Sequence, residues 1–264
     1  MEQLIKTIVL GIIQGLTEWL PISSTGHLKL AEYFLDLKVP ILFDVILHLG
    51  TLIVVFFFFR KEVKKILSAL IHLDFKTEYG KFVPLIIVGT TPAAVIGLAF
   101  GDQIEAAFQS PVPIASMFVI CGILVYSAKT GIERTGNISY SVALIIGIAQ
   151  GIAIIPGISR SGVTIAIALL LGIKREKAFK FSFLLSIPAI VGAFGLTLHK
   201  QFNELAASGL GWSEIIIGML IAMVVGYFAL KLLWKTLDKK KFHLFAFYLW
   251  LIGMAIIVLS LGLF

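Results

Sequence analysis

Two short polar segments interrupt long apolar runs, and they carry the side chains with the clearest chemical potential. Residues 21–27 form the first segment, and residues 156–162 form the second. Gln14 and Glu18 precede the first segment and are four residues apart, so on a helix they share one face. A carboxylate inside an apolar run is costly in a membrane and is by default functional. Glu18 is therefore the first candidate site residue.

The second segment has the same outline with different chemistry. Pro156 and Gly157 end one apolar arm, and Ser159, Arg160 and Ser161 open the next. An arginine keeps its charge, and its planar guanidinium suits bidentate contact with phosphate oxygens. Arg160 in an apolar setting therefore predicts an anionic partner.

The composition indicates the environment of these segments. The chain has 264 residues, of which 59% are hydrophobic and 14% charged, with a mean hydropathy of +1.02. Soluble domains carry roughly 25% charged residues, so a soluble enzyme, a disulfide-rich secreted domain and a disordered chain are excluded. The net charge of +7 is explained by basic cytoplasmic loops, and we expect no nucleic-acid partner. Long continuous apolar runs favour a helical membrane protein embedded in the lipid bilayer.

Six apolar runs are long enough to cross a membrane, which takes about 20 residues. Two further regions, near 4–35 and 139–171, are each broken by one of the polar segments. Their second arms of about 12 residues would reach only about 18 Å as helices. Such short arms predict re-entrant hairpins, whose irregular backbone is buried in protein or lines a wet cavity. The six predicted spans are residues 41–59, 83–100, 113–128, 178–198, 214–234 and 243–262.

The two broken regions repeat each other at a constant offset of 136 residues. With one hairpin and three spans in each half, the second half would be inserted upside down, as in many transporters. We therefore predict an all-α integral membrane fold with an inverted-topology repeat. It forms a single membrane domain over residues 1–264, with repeat 1 at about 1–130 and repeat 2 at about 139–264. The matched pairs are Gly11 and Gly147, Ile12 and Ile148, Gln14 and Gln150, Gly15 and Gly151, Ile22 and Ile158, Ser23 and Ser159, and Gly26 and Gly162.

The basic residues predict the orientation of this layout. Most of the 22 Lys and Arg residues lie in the stretches 60–82, 129–139, 173–180 and 235–242. All four stretches fall on one side of the membrane if each hairpin leaves on the side from which it entered, so that neither hairpin crosses the membrane. That side is then cytoplasmic, and both termini and the site would lie outside.

The inversion would bring the two polar segments together as tips. Two helix N-termini would then offer free amides and partial positive charge to one anion, together with several hydroxyls and Arg160. Phosphate or diphosphate fits best. Glu18 beside a phosphate suggests a divalent cation, Mg²⁺ or Ca²⁺, and His27 could transfer protons. Two other interpretations stay open: Glu18 and Arg160 form a structural salt bridge, or His27 bonds a neighbouring helix. Asp44 and His48, four residues apart, are either further ligands or a polar contact between helices.

Three segments carry a resemblance to a known family. Residues 14–27, 43–51 and 156–162 resemble the signatures of the bacterial undecaprenyl-diphosphate phosphatase family, the bacitracin-resistance type. The resemblance implies removal of the terminal phosphate from undecaprenyl diphosphate outside the bacterial plasma (inner) membrane, with a divalent cation. The family's first motif is Glu or Gln, three residues, then Glu, so Gln14 here leaves one carboxylate for a metal. A polyprenyl-phosphate flippase with the same fold is the alternative function, and the sequence does not decide whether the chain forms a homodimer.

The resemblance also implies roles for single residues. Glu18, with Gln14, would hold the metal, and Arg160 would clamp the diphosphate. Ser24 is the favoured nucleophile with His27 as its acid or base, and His27 as nucleophile is the rival assignment. The remaining phosphate-binding residues would be Ser23, Thr25, Gly26, Ser159, Ser161 and Gly162.

Overall fold

The protein is helical throughout the part of the chain that the structure describes. A computed structural model describes residues 2–36, 40–135, 137–207, 211–260 and 262, and within these ranges it contains no β-strand. The α-helices are α1 Glu2–Trp19, α2 Ser24–Phe34, α3 Ile41–Phe58, α4 Arg60–Ile71, α5 Phe82–Ala107, α6 Pro111–Ser127, α7 Tyr140–Ile152, α8 Arg160–Leu170, α9 Arg175–Ala207, α10 Trp212–Asp238 and α11 Phe245–Ser260.

Six of these helices are long and apolar enough to cross a membrane, namely α3, α5, α6, α9, α10 and α11. They correspond one to one to the predicted spans, so the chain is a multi-pass membrane protein. The observed helices extend beyond the predicted ends where charged residues continue the helix. For example, α9 begins at Arg175 and α5 runs on to Ala107.

The two broken regions each form two helices joined by a short turn. After the first turn, the Ser23 side chain caps α2 by accepting a hydrogen bond from the Gly26 amide. After the second turn, the Ser159 side chain caps α8 by accepting from the Gly162 amide. Both α2 and α8 have 11 residues, or about 16 Å at 1.5 Å per residue. That is well short of a hydrocarbon core of about 30 Å.

One helix was not predicted. Helix α4, Arg60–Ile71, lies in a stretch that the charge pattern indicated only as a basic loop. Ile66 and Ala69, three residues apart, are buried, whereas most of the other side chains are exposed. This is the pattern of an amphipathic helix, which a count of charges alone does not distinguish from a loop.

The first arms of the two broken regions pack very closely on spans. A Cβ atom on Gly147 of α7 would lie 2.2 Å from the Gly89 carbonyl oxygen of α5, so only glycine fits there. At the matched position of α1, a Cβ on Gly11 would lie 2.7 Å from the Gly218 carbonyl oxygen of α10. Small residues at both crossings let the backbones approach, as is common between membrane helices. These contacts fix the arms that lead into the polar segments.

Candidate active site

The structure brings the two polar segments into direct contact. The Ser23 hydroxyl oxygen accepts a hydrogen bond from the Gly157 amide at 3.1 Å. From the other segment, the hydroxyls of Ser159 and Ser161 donate to the Leu20 carbonyl oxygen at 3.5 and 3.3 Å. The candidate side chains of the two segments are therefore held within one small region.

Glu18 is the centre of the polar contacts in this region. Its side chain is 4% exposed, and its Oε1 accepts from Arg160 Nη2 at 2.5 Å. Its Oε2 accepts from the Ser24 hydroxyl at 2.5 Å and from Gln14 Nε2 at 3.1 Å. Four of the residues singled out in the sequence thus meet at one carboxylate. A hydroxyl that donates to a carboxylate has the arrangement of a nucleophile beside its base.

His48 is a fourth partner of Glu18, which the sequence did not assign to the site. Its Nε2 lies 3.2 Å from Glu18 Oε2, and its Nδ1 lies 2.8 Å from the Asp44 carbonyl oxygen. A carbonyl only accepts, so Nδ1 carries a proton and the second contact needs another proton, on Nε2 or on Glu18. His48 thus links α3 to the carboxylate of α1. The only sequence signal for His48 was its spacing of four residues from Asp44. The sequence alone did not show whether this pair supplies further ligands or forms a polar contact between helices.

His27 is engaged elsewhere. Its Nδ1 lies 2.7 Å from the Ser23 carbonyl oxygen, and its Nε2 lies 2.8 Å from the Tyr248 hydroxyl. Its ring also stacks on Tyr248 and lies against the Phe118 ring. Because both ring nitrogens have these partners, the structure does not bring His27 to the Ser24 hydroxyl. The contacts agree with the alternative in which this histidine bonds a neighbouring helix.

A cavity of about 450 Å³ opens beside Glu18. Glu18, Ser24 and Arg160 belong to its polar lining, whereas alanine, glycine, proline and aliphatic residues of α5, of the turn after α7 and of α9 form most of the rest. Arg160 Nη1 is buried and has no hydrogen-bond partner within the described ranges. The cavity therefore combines a polar region, which includes an unpartnered guanidinium nitrogen, with an apolar wall. Its other polar lining residues are Ser23, Thr25, His48, Thr90, Gln150, Ser159 and Thr197.

Most of the predicted phosphate-binding residues instead join the two segments. The Ser23, Ser159 and Ser161 hydroxyls are used in the caps and cross-contacts described above, although Ser23, Thr25 and Ser159 also line the cavity. A Cβ on Gly26 would lie 2.7 Å from the Phe118 ring, and one on Gly162 would lie 2.9 Å from the Ser159 side chain. Gly26 thus lets the Phe118 ring approach, Gly162 leaves room for the Ser159 cap, and neither glycine lines the cavity.

The residues around Glu18 show how far this site could hold the expected divalent cation. The described parts of the chain contain no group of three His, Cys, Asp or Glu side chains arranged to hold a metal. Glu18 offers one carboxylate, and Gln14 Oε1 is buried without a hydrogen-bond partner among the described residues. Mg²⁺ is often held by one or two carboxylates, with substrate phosphates and water as the other ligands. The residues fit a cation shared with a phosphorylated ligand, and they do not form a complete cage.

Outside the site, one ionisable group of a polar loop has a shifted pKa. The Lys177 ammonium donates a hydrogen bond to Glu78 at 2.8 Å, and this contact lowers the pKa of the Glu78 carboxyl. Both side chains lie at the predicted cytoplasmic face. Because Glu78 is exposed, the pair contributes little to stability.

Comparisons with known proteins agree with the resemblance. A family model described as "Bacitracin resistance protein BacA" matches residues 7–255. A protein from Carboxydothermus hydrogenoformans named undecaprenyl-diphosphatase is 43% identical over 261 residues, covering 97% of each chain. Proteins with the same name are 41% identical in Desulforapulum autotrophicum (97% of this chain, 98% of the relative) and 43% identical in Halothermothrix orenii (98% of each).

Proposed function

The chain belongs to the bacitracin resistance protein BacA family, and on this basis we propose that it hydrolyses undecaprenyl diphosphate to undecaprenyl phosphate and inorganic phosphate. The names of the relatives support this substrate. The observation that carries the proposal is the pairing of Ser24 and Arg160 on the Glu18 carboxylate, beside a cavity with an apolar wall. The reaction would return the lipid carrier of cell-wall synthesis to use, and it would underlie bacitracin resistance. Neither the contacts nor the relatives favour the flippase.

Each residue of the polar cluster has a part in the proposed reaction. Arg160 binds phosphate oxygens through its unpartnered Nη1 and stabilises the charge of the transition state. The Ser24 oxygen attacks the terminal phosphorus as its proton passes to Glu18. The bond from that phosphorus to the bridging oxygen breaks, and undecaprenyl phosphate leaves. Water then attacks the phosphoserine, phosphate is released, and the proton returns from Glu18 to the Ser24 oxygen.

The cation would be held by Glu18 and Gln14 together with phosphate oxygens. When bound, it supplies charge neutralisation to the diphosphate. Ser24, His48 and Arg160 already contact the Glu18 oxygens, so a cation would compete with these donors. His48 contacts the same Glu18 oxygen that would take the Ser24 proton, and its role in the proposal is to hold that carboxylate in place.

The finer architecture is also part of the proposal. We propose a single membrane domain of two inverted repeats, each a re-entrant hairpin and three spans. The matched Ser23 and Ser159 caps support this arrangement. So does the exchange of partners, because α1 of the first half packs on α10 and α7 of the second half packs on α5. The cluster of basic stretches on one side supports a plasma-membrane protein with both termini and the cavity opening outside.

Phosphate release by the purified protein tests the function. The substrate is undecaprenyl diphosphate in detergent micelles, assayed with Mg²⁺, with Ca²⁺ and with a chelator. We expect release with at least one cation and little with the chelator. Undecaprenyl monophosphate serves as the control substrate and should release no phosphate. Folded protein that releases nothing with either cation would contradict the proposal.

A further inference from the structure

We infer that Gln150 and Thr90 form a second phosphate-binding position in the cavity, where their amide and hydroxyl groups hold oxygens of the diphosphate. This inference rests on the proposed function, because it names further substrate contacts in the same cavity. Neither residue belongs to the Glu18 cluster. Gln150 lies on α7 and Thr90 on α5, and both line the cavity.

Gln150 is buried but has no partner in the protein. The residue is only 3% exposed, and neither its Nε2 nor its Oε1 forms a hydrogen bond to any described residue. A buried amide without a partner is costly, and such groups in native proteins are usually satisfied by water or a ligand. Because Gln150 lines the cavity, a ligand there could supply the missing contacts.

Comparison with its repeat-matched glutamine shows why this amide is free. Gln14 donates to Glu18, one helical turn later on the same helix. The position matched to Glu18 at the offset of 136 is Ile154, which has no polar atom in its side chain. The second half therefore has the glutamine without its carboxylate partner. If Gln150 served only to fill space, its amide would add nothing to the packing. If Gln150 binds a ligand, the amide provides the hydrogen bonds.

Thr90 shows the same pattern beside it. A threonine within a helix commonly donates to the carbonyl of the preceding turn, and the neighbouring Thr91 does so to Ile87 at 2.8 Å. By contrast, Thr90 Oγ1 is buried and makes no hydrogen bond within the described structure. The close crossing of α5 and α7 at Gly89 and Gly147 places Thr90 and Gln150 near that crossing.

The free groups together suit an anion with many oxygens. The Gln150 amide and the Thr90 hydroxyl are neutral donors, and Arg160 Nη1 is a charged donor that also lacks a partner among the residues described. All three residues line one cavity. A diphosphate offers acceptor oxygens to each of these donors. In the bound state, Gln150 Oε1 would accept a hydrogen bond from a water molecule that accompanies the diphosphate.

Kinetics of paired variants test this assignment. Gln150→Met and Thr90→Val remove the polar atoms at nearly constant volume, and Thr91→Val is the matched control outside the cavity. We expect KM for undecaprenyl diphosphate to rise on the order of 10-fold or more in each cavity variant, since hydrogen bonds to charged groups are the stronger class. The unfolding temperature should be kept or raised, because an unsatisfied group is removed. Thr91→Val should leave KM unchanged.

A KM that stays at the wild-type value in both cavity variants would overturn the inference and leave only water at these groups. If Gln150→Met fails to fold, Thr90→Val decides the question alone. Stabilisation by inorganic diphosphate, measured by thermal unfolding without turnover, separates this inference from the proposed function. If the wild type releases no phosphate but is stabilised more than both variants, the function fails and the second position stands. Equal stabilisation of wild type and variants, or none in any of them, overturns the second position.

Discussion

The contact between Glu18 and Arg160 leads to the most detailed prediction. The side chains are 4% and 15% exposed, and the Arg160 guanidinium also lies over the Trp19 ring at 5.3 Å. Two unit charges about 4 Å apart interact by about 4 kcal/mol at an effective dielectric constant of about 20. Removing one partner of a buried pair costs about 3–5 kcal/mol, because the other charge is left uncompensated.

We therefore expect Glu18→Gln and Arg160→Met each to lower the free energy of unfolding by about 3 kcal/mol. The double variant removes both charges, so its loss should be smaller than the sum of the single losses by about 2 kcal/mol or more. Denaturant unfolding in one detergent, followed by circular dichroism, measures all four proteins. Single losses that add within about 0.5 kcal/mol would refute the coupling.

Activity of the same proteins separates catalysis from structure. If the pair were only a structural salt bridge, the double variant should recover phosphate release along with its stability. We expect stability to recover and phosphate release to stay lost, because both side chains act on the phosphate or on Ser24. A double variant with nearly wild-type turnover would show that the pair has no part in the reaction.

Three further predictions follow from the packing and the proposed orientation. His48→Leu should lower phosphate release by about 10- to 100-fold by removing a hydrogen-bond partner of Glu18, and unchanged release would show that the contact does not position the carboxylate. Gly147→Ala should destabilise the protein by about 1–3 kcal/mol, because the added methyl group would clash with α5. Gly195 has open space around it, so Gly195→Ala should leave the stability unchanged, and thermal unfolding of the two variants measures the difference. On intact cells, a membrane-impermeant maleimide should label Ser213→Cys and leave Lys240→Cys unlabelled, and the reverse pattern would invert the proposed orientation.

The spans could be predicted because their signal lies within each segment. An uninterrupted apolar run of span length has few alternatives to a membrane helix, so α3 and α10 were expected close to their observed bounds. The signal for the break before α2 was equally local, since a short polar segment interrupts an apolar run there. Helix α4 was missed because its buried face has only two buried side chains, Ile66 and Ala69, among many charges.

The site could be predicted only in part, because its contacts join distant parts of the chain. Glu18, Ser24 and Arg160 stand out by type and position, and the structure places them together. The role of His48 could not be assigned from the sequence, since its contact with Glu18 depends on how α1 and α3 are rotated against each other. Likewise, nothing in the sequence shows that Gln150 lacks a partner, because this depends on every atom that surrounds its amide.

Phosphate release by Ser24→Ala tests the central claim most directly, since this change removes only the hydroxyl that donates to Glu18. The control is Ser116→Ala, whose hydroxyl donates to the Val112 carbonyl of its own helix. With undecaprenyl diphosphate and a divalent cation, we predict release by the wild type and the control, and a loss of at least about 100-fold in Ser24→Ala. Release by Ser24→Ala at the wild-type rate would contradict the account.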